Sequence, residues 1–470
     1  MFGIDTGLLV VLVVALLFAC LFEFINGFHD TANAVATVIY TNSLKPNHAV
    51  IWSGFMNFLG VVTGGVGVGI SIIYLLPVEL LIDQNIYHSM AMVMAMLISA
   101  IIWNFGTWYL GLPSSSSHTL IGAILGVGLG YALLPENTIG LAAVNWDKAQ
   151  SVFTGLLLAP LLGFSMAIAL MFLLKNSINK KLQKVVFSEP KKGTVPPTWI
   201  RLILIGTCTL VSFFHGKNDG QKGIGLVMLI LIGILPTFYG ITSIKDFQKL
   251  EPEVKSIEVI VSKIDTIGLG NSEKSQISRI KMNTLVLKNA FKDENANKLE
   301  IRGAILSISS KAKKLLQSEN INLSNRDKKE LGLLATKEEK GIRKATDYAP
   351  FWVIILISIS LGLGTMIGWK RIVVTVGEKI GKTHLTYAQG ASAELVAAIT
   401  IGLATGFGMP VSTTHTLSSG IAGSMVANKG IKNLQSGTVK SIALAWILTL
   451  PVSIFLSASL FLLFRWSFGG

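Results

Sequence analysis

Eleven apolar stretches, most of them long enough to cross the ~30 Å hydrocarbon core of a bilayer, constrain this chain more than any other feature. Five run at about 7 to 29, 48 to 76, 88 to 111, 118 to 134 and 150 to 175; six more run at about 199 to 215, 220 to 241, 349 to 369, 385 to 406, 411 to 427 and 440 to 465. A helix satisfies its own backbone in lipid, so the expected class is an all-α integral membrane protein with ten to twelve membrane segments. Composition agrees, because only 14% of residues are charged, against ~25% in an ordinary soluble domain. The charge is also uneven: residues 242–347 hold 21 Lys and Arg and 15 Asp and Glu, leaving 19 and 11 for the other 364 residues, about 8% of them.

The net charge of +14 divides into +6 in that polar segment and +8 elsewhere. Short basic loops at a membrane surface account for such a balance better than nucleic-acid binding does. Cys20 and Cys208 both lie in apolar runs, so neither a disulfide framework nor a metal knuckle is indicated. The run from Leu8 to Cys20 ends in Leu-Phe-Ala-Cys, but only Asp5 precedes it as a charge. Without a positive leader it reads as a first span that is retained.

Five segments follow from this pattern: a first membrane repeat over 1–175, a basic cytoplasmic linker over 176–198, the start of a second repeat over 199–241, a soluble helical insert over 242–347, and the remainder of the second repeat over 348–470. The linker carries Lys180, Lys181, Lys184, Lys191 and Lys192 against one acid, Glu189, which the positive-inside rule assigns to the cytoplasm. In the insert, the mixed Lys and Glu of Ile277 to Leu316 suggest amphipathic helices.

The halves repeat each other. Gly27-Phe28-His29-Asp30-Thr31-Ala32-Asn33-Ala34 lines up with Gly216-Lys217-Asn218-Asp219-Gly220-Gln221-Lys222-Gly223 at an offset of 189, and Pro113-Ser114-Ser115-Ser116-Ser117-His118-Thr119-Leu120 with Pro410-Val411-Ser412-Thr413-Thr414-His415-Thr416-Leu417 at 297. The two offsets differ by about the length of the insert, which therefore sits within the second half. Glu79 and Asp83 make one loop acidic, whereas its counterpart carries Lys370, Arg371, Lys379 and Lys382. That contrast suggests inverted repeats. Inversion needs an odd number of crossings per half, so re-entrant or broken helices are expected around the Pro-Ser motifs, the usual pointer to a substrate site near the midplane.

Ionisable groups in apolar segments are costly and by default functional, and Asp30 and Asp219 occupy equivalent positions. Glu23 precedes Asp30 by seven residues and can share its helical face, yet its counterpart is Ser212. The runs Ser114 to Ser117 and Ser412 to Thr414 follow a proline and open an apolar helix. A helix N-terminus binds a tetrahedral anion through its orphan N–H groups and dipole, whereas a simple N-cap needs a single Ser. His118 and His415 follow directly, without the Gly-x-Ser-x-Gly elbow of a hydrolase, and His29 and His215 differ in motif position, so no repeated metal-ligand spacing exists. Paired anion donors beside two acids suggest an oxyanion that travels with cations or protons. A protonated phosphate offers an O–H to a carboxylate; sulfate offers none.

Asn26 to Thr37, Leu112 to Thr119, His215 to Gly225 and Met409 to His415 together resemble the four signatures of the PiT family of inorganic phosphate transporters, specifically its bacterial low-affinity branch. The resemblance spans nearly the whole chain outside 242–347. It implies a multi-pass protein of the bacterial inner membrane that takes up inorganic phosphate, free or as a neutral metal complex, by proton-coupled symport and alternating access. Phosphate would be held by Asp30, Ser115, Ser116, Ser117, Asp219, Ser412, Thr413 and Thr414, and the coupling ion by Asp30, Asn33, Asn218, Asp219 and Lys222. No enzyme activity, cofactor, resident metal or nucleic acid is expected, and a homodimer is left open. The sodium-coupled branch resembles Gly-Ala-Asn-Asp-x-x-Asn-Ala in both halves. Here His29 replaces the first Asn, Lys222 stands opposite Asn33, and Lys217 occupies a position usually Ala. Na⁺-coupled symport, sulfate transport within the same superfamily and an anion channel remain the alternatives.

Overall fold

The computed structural model describes residues 6–467 apart from 74, 77–79, 81–84, 136, 138, 139, 145, 192, 319 and 337–339. Glu79, Asp83 and Lys192 therefore lie outside the described residues. Among those described, the chain is helical and contains no β-strand beyond an isolated bridge between Gly381 and Leu434. The first half consists of α1 (Thr6–Asp30), α2 (Ala32–Tyr40), α3 (Pro46–Val62), α4 (Gly67–Ile73), α5 (Ile86–Tyr109), α6 (Ser116–Ala132) and α7 (Trp146–Ser177), with α8 (Lys180–Val186) in the linker. Then follow α9 (Thr198–Ile234), the insert helices α10 (Glu251–Ser262), α11 (Asn271–Ala290), α12 (Lys298–Gln317) and α13 (Asn325–Leu331), and finally α14 (Phe351–Met366), α15 (Lys370–Val374), α16 (Tyr387–Gly406), α17 (Thr413–Lys429) and α18 (Ser436–Ser467).

Among the described residues six spans, Thr6–Tyr40, Ile86–Tyr109, Phe153–Ser177, Thr198–Ile234, Tyr387–Gly406 and Ser436–Ser467, are long and apolar enough to cross a membrane, making the chain a multi-pass membrane protein. Two broken pairs raise the number to as many as eight: Pro46–Val62 with Gly67–Ile73, bent by 73°, and Phe351–Met366 with Lys370–Lys379, bent by 54°. The breaks fall at corresponding places in the two halves. Fewer complete crossings than apolar stretches result, for two reasons. The stretches at 199 to 215 and 220 to 241 join into α9, which continues unbroken through the polar motif. And α6 and α17, each 17 residues, reach only about 26 Å at 1.5 Å per residue.

The chain forms two compact units. The first, residues 1–77, 90–227 and 351–470, is built by exchange between the halves: α6 packs on α18, α17 on α7, and α1 on α14. Glycines permit these close approaches, and they come in pairs. A Cβ at Gly126 would strike the carbonyl of Ile454, and one at Gly423 that of Phe164; likewise Gly60 lies on the carbonyl of Phe213 and Gly364 on that of Phe24. Phe24 and Phe213 are themselves related by the 189-residue offset, so each contact of one half on the other is returned. Val35 on α2, Leu204 and Val211 on α9, Ile372 on α15 and Val376 just after it, Ala393 and Ala397 on α16, and Leu417 and Ile421 on α17 form a further buried core.

The second unit, residues 78–89 and 228–350, has its own core. Val254, Ile257 and Val261 on α10, Ile277, Ile280 and Leu287 on α11, and Ile301, Ile305, Ile308, Ala312 and Leu315 on α12 recur at three- and four-residue spacing and are buried together, the stripe of an amphipathic helix. Asn297 caps α12 by accepting from the N–H groups of Leu299 and Glu300. Buried Arg302 donates through Nη1 to the carbonyls of Gly240 and Thr346, each at 3.2 Å.

Candidate functional site

The two Pro-Ser motifs fold alike. Ser115 and Ser412 cap α6 and α17, accepting from the N–H of His118 at 3.2 Å and of His415 at 3.1 Å. Thr119 and Thr416 donate back to the carbonyls of the capping serines, at 3.0 and 2.8 Å. With the cap supplied by the first residue, the hydroxyls of Ser116, Ser117 and Thr414 are free to serve other groups. First-turn N–H groups of a helix lack intrahelical acceptors, so both ends carry partial positive charge in the buried interior.

The hydroxyls of Ser116 and Thr414 converge on the two aspartates, each at most 2% exposed, while Ser117 Oγ donates to the carbonyl of Val411 at 2.8 Å. Asp30 accepts from Thr414 Oγ1 at 2.5 Å and Asn33 Nδ2 at 3.1 Å through Oδ1, and from Ser116 Oγ at 3.2 Å through Oδ2. Ser116 Oγ also lies 3.3 Å from Asp219 Oδ2. Having one proton, that hydroxyl donates to one carboxylate at a time. His215 Nε2 stands 3.5 Å from both Asp30 Oδ2 and Asp219 Oδ2, while its Nδ1 lies 3.0 Å from Asn57 Oδ1.

Asn33 and Lys222, equivalent in the repeat, make equivalent contacts. Asn33 Nδ2 reaches Asp30 Oδ1 and Thr414 Oγ1, both at 3.1 Å. Lys222 Nζ reaches Asp219 Oδ1 at 2.6 Å and Ser117 Oγ at 2.5 Å, and Ser117 is the repeat partner of Thr414. Atoms of Asp30, His215 and Asp219 lie within 4.8 Å of one another, close enough to share a cation. Lys222 already delivers an ammonium to one of these carboxylates, and a second positive ion there would meet strong repulsion.

Residues 26–457 match the model of the Phosphate transporter family. The chain belongs to that family. It is 41% identical to the low-affinity inorganic phosphate transporter PitA of Escherichia coli K12, over 98% of this chain and 97% of that one. With the low-affinity inorganic phosphate transporter of Buchnera aphidicola subsp. Acyrthosiphon pisum it shares 43% identity over 95% of each. A solved structure titled "The sodium-dependent phosphate transporter" aligns with a TM-score of 0.57 over 97% of this chain and 99% of the other; at 21% identity it speaks for the fold. These relatives are transporters, and this family member is a transporter rather than an enzyme.

Within this transporter the remaining site residues separate. Asn218 faces away from the aspartates and donates to Thr405 Oγ1 at 2.9 Å and to the carbonyl of Met409 at 3.3 Å. Ser115 and Ser412 are committed to the caps, and Thr413 is buried beside them. The oxygens Asn33 Oδ1, Asn218 Oδ1 and Ser114 Oγ are buried without a hydrogen-bond partner among the described residues. His118 and His415 pack ring against ring at a tilt of 31°, with centroids 4.5 Å apart, and His415 stacks on Trp446 at 4.0 Å, so these histidines pack where the two motif helices meet. Sequence reasoning missed two residues. His215 has no repeat partner and so gives no repeated signal, yet it joins both acids. Glu394, a lone acid in the apolar stretch 385 to 406, was legible by the same argument that singled out Asp30.

Proposed function

We propose that this protein takes up inorganic phosphate across the bacterial inner membrane as a proton-coupled symporter working by alternating access. The observation that carries the reading is the Lys222 ammonium, bound to Asp219 and Ser117 where the other half has Asn33. Na⁺ needs several oxygen ligands close around it. An ammonium within about 4 Å opposes a second cation by several kcal/mol at an effective dielectric near 20, whereas a proton has no such geometric demand.

Phosphate is proposed to sit between the first turns of α6 and α17, where N–H groups donate to its oxygens, the hydroxyls of Ser116 and Thr414 turn from the aspartates to do the same, and Asp30 and Asp219 accept its O–H in their place. Loss of those acceptors, or an anion with no proton to offer, leaves buried groups unpaired at a cost of about 1–3 kcal/mol each. That preference supports phosphate over sulfate. The test is uptake of labelled phosphate into proteoliposomes. Accumulation should follow an imposed pH gradient, collapse with a protonophore, resist competition by sulfate and be indifferent to replacing Na⁺ by K⁺. A strict Na⁺ requirement at constant pH overturns the proton assignment and leaves phosphate intact; flux that never concentrates phosphate favours a channel.

A further inference from the structure

Four acids are buried in the membrane unit among the described residues: Glu23, Asp30, Asp219 and Glu394. The site above uses the two aspartates. The two glutamates are each fully buried, and no ion pair is recorded for either among the described residues.

Their placement is informative. Along α1 and α2 the order is Glu23, Asp30, Thr37, at intervals of seven residues. Along α9 the residues that meet them run in reverse. Gly223 lies against Glu23, where any Cβ would strike the carboxyl group; Asp219 meets Asp30 through Ser116 and His215; and Thr207 meets Thr37 through Glu394, which accepts from both threonine hydroxyls, that of Thr207 at 2.5 Å. The two helical segments are thus antiparallel. Seven helical residues span about 10 Å, so Glu23 lies about that far from the aspartates toward one membrane face, and Glu394, through Thr37, about as far toward the other.

The surroundings favour a carboxyl that exchanges a proton over a fixed charge. Glu23 accepts one hydrogen bond, from Asn26 Nδ2 at 3.3 Å, and its Oε1 has none. The titratable groups near it are Cys20 on its own helix and His215, Asp219 and Lys222 on α9. Among the described residues Glu394 bonds the two hydroxyls alone, with Cys208 as its titratable neighbour. Burying an isolated carboxylate is expensive and a carboxylic acid much less so. The repeat does not generate these acids either: Ser212 stands opposite Glu23, and Leu97 opposite Glu394. One unpaired acid therefore lies on each side of a central anion site.

We propose that Glu23 and Glu394 are two further proton-binding sites of the coupling step, one toward each membrane face, which load and release the proton that accompanies phosphate. Water at one face gives a proton to one glutamate, and the second glutamate returns a proton to water at the other face. The two transfers belong to opposite states of the transport cycle, and in each only O–H and N–H bonds form or break. The inference rests on the proton-coupled reading above.

The experiment compares Glu23→Gln, Glu394→Gln and the wild type in proteoliposomes by two readouts: accumulation of labelled phosphate driven by a pH gradient, and exchange of labelled for unlabelled phosphate with no gradient. Each variant should lose at least about tenfold in driven accumulation and in proton flux per phosphate, with exchange kept within about twofold. Glu23→Asp and Glu394→Asp keep the acid and should restore part of the coupling; they carry the test if a glutamine variant fails to insert. Driven accumulation at the wild-type level in both glutamine variants overturns the inference and leaves proton coupling standing. Equal loss of exchange and accumulation, unrelieved by aspartate, also overturns it, since the glutamates would then be structural. A wild-type protein that ignores the pH gradient and requires Na⁺ overturns the coupling reading and this inference together.

Discussion

Asn33 and Lys222 occupy one position in two copies of the same motif, and each bridges an aspartate and a hydroxyl of the opposite half's Pro-Ser motif. Asn33 does so with neutral hydrogen bonds of 3.1 Å to Asp30 and Thr414, Lys222 with charged contacts of 2.6 Å to Asp219 and 2.5 Å to Ser117. The bonding pattern survived duplication while a full positive charge entered one arm only. A symmetric scaffold can therefore carry an asymmetric charge distribution. The first-half acid keeps hydroxyl and amide donors, whereas the second-half acid is neutralised by a buried cation.

The largest test of that contrast is to remove each acid. Asp30→Asn and Asp219→Asn should both abolish concentrative phosphate uptake, but their stabilities should diverge. Asp219→Asn strands the Lys222 ammonium, and leaving one member of a buried pair alone typically costs about 3–5 kcal/mol. Asp30→Asn leaves neighbours that can bond an amide, and should cost about 1–2 kcal/mol. Thermal unfolding of the purified proteins reads the difference; equal losses would break the comparison.

Exchanging the arms is the next step. Lys222→Asn makes the second arm like the first and should let Na⁺ influence uptake that was indifferent to it, while Asn33→Lys places an ammonium beside Asp30 and should depress phosphate uptake sharply. A smaller effect is expected at the hydroxyls. Thr414→Val removes a hydroxyl proposed to donate to phosphate and, at about 1.5–3 kcal/mol for a bond to a charged group, should weaken phosphate binding by about tenfold or more. Ser117→Ala removes a partner of Lys222 that keeps its bond to Asp219, and should weaken binding less. Phosphate titration of the detergent-solubilised proteins compares the two.

Much of this arrangement was legible in the sequence because the signals were local or repeated. The offsets of 189 and 297 align the arms, and the caps at Ser115 and Ser412 follow from a serine after proline ahead of an apolar run. What escaped depends on tertiary contacts. Nothing in the motif says that α9 continues through Gly216 to Gly223 while the first copy is interrupted at Thr31, whose hydroxyl donates to the carbonyls of Gly27 and Thr365 at 2.6 and 2.9 Å. Thr365 is more than three hundred residues away. His215 is likewise invisible to a search for repeated spacing, because the antiparallel crossing of α1 and α9 lets a single side chain serve both acids.

The smallest predicted effect uses an exposed pair as the control for the buried one. Asp246 in the insert meets Lys249 at 2.8 Å with both side chains largely in water. The Lys249 ammonium, with the Ser243 hydroxyl, holds the Asp246 carboxyl below the ordinary aspartate range. A carboxylate lowered in the folded state adds stability above its unfolded pKa and loses it as pH falls through the folded value, so this contribution should be complete at neutral pH and fade below about pH 4. Water and counterions screen such a pair. Asp246→Asn should accordingly leave phosphate uptake unchanged and move the unfolding transition barely, with the residual shift vanishing in 1 M salt, whereas the loss caused by Asp219→Asn should persist there. If high salt rescued the Asp219 variant as well, the Lys222 ammonium would have to be reached by solvent ions, and the contrast between a neutral arm and a charged, desolvated arm would no longer hold.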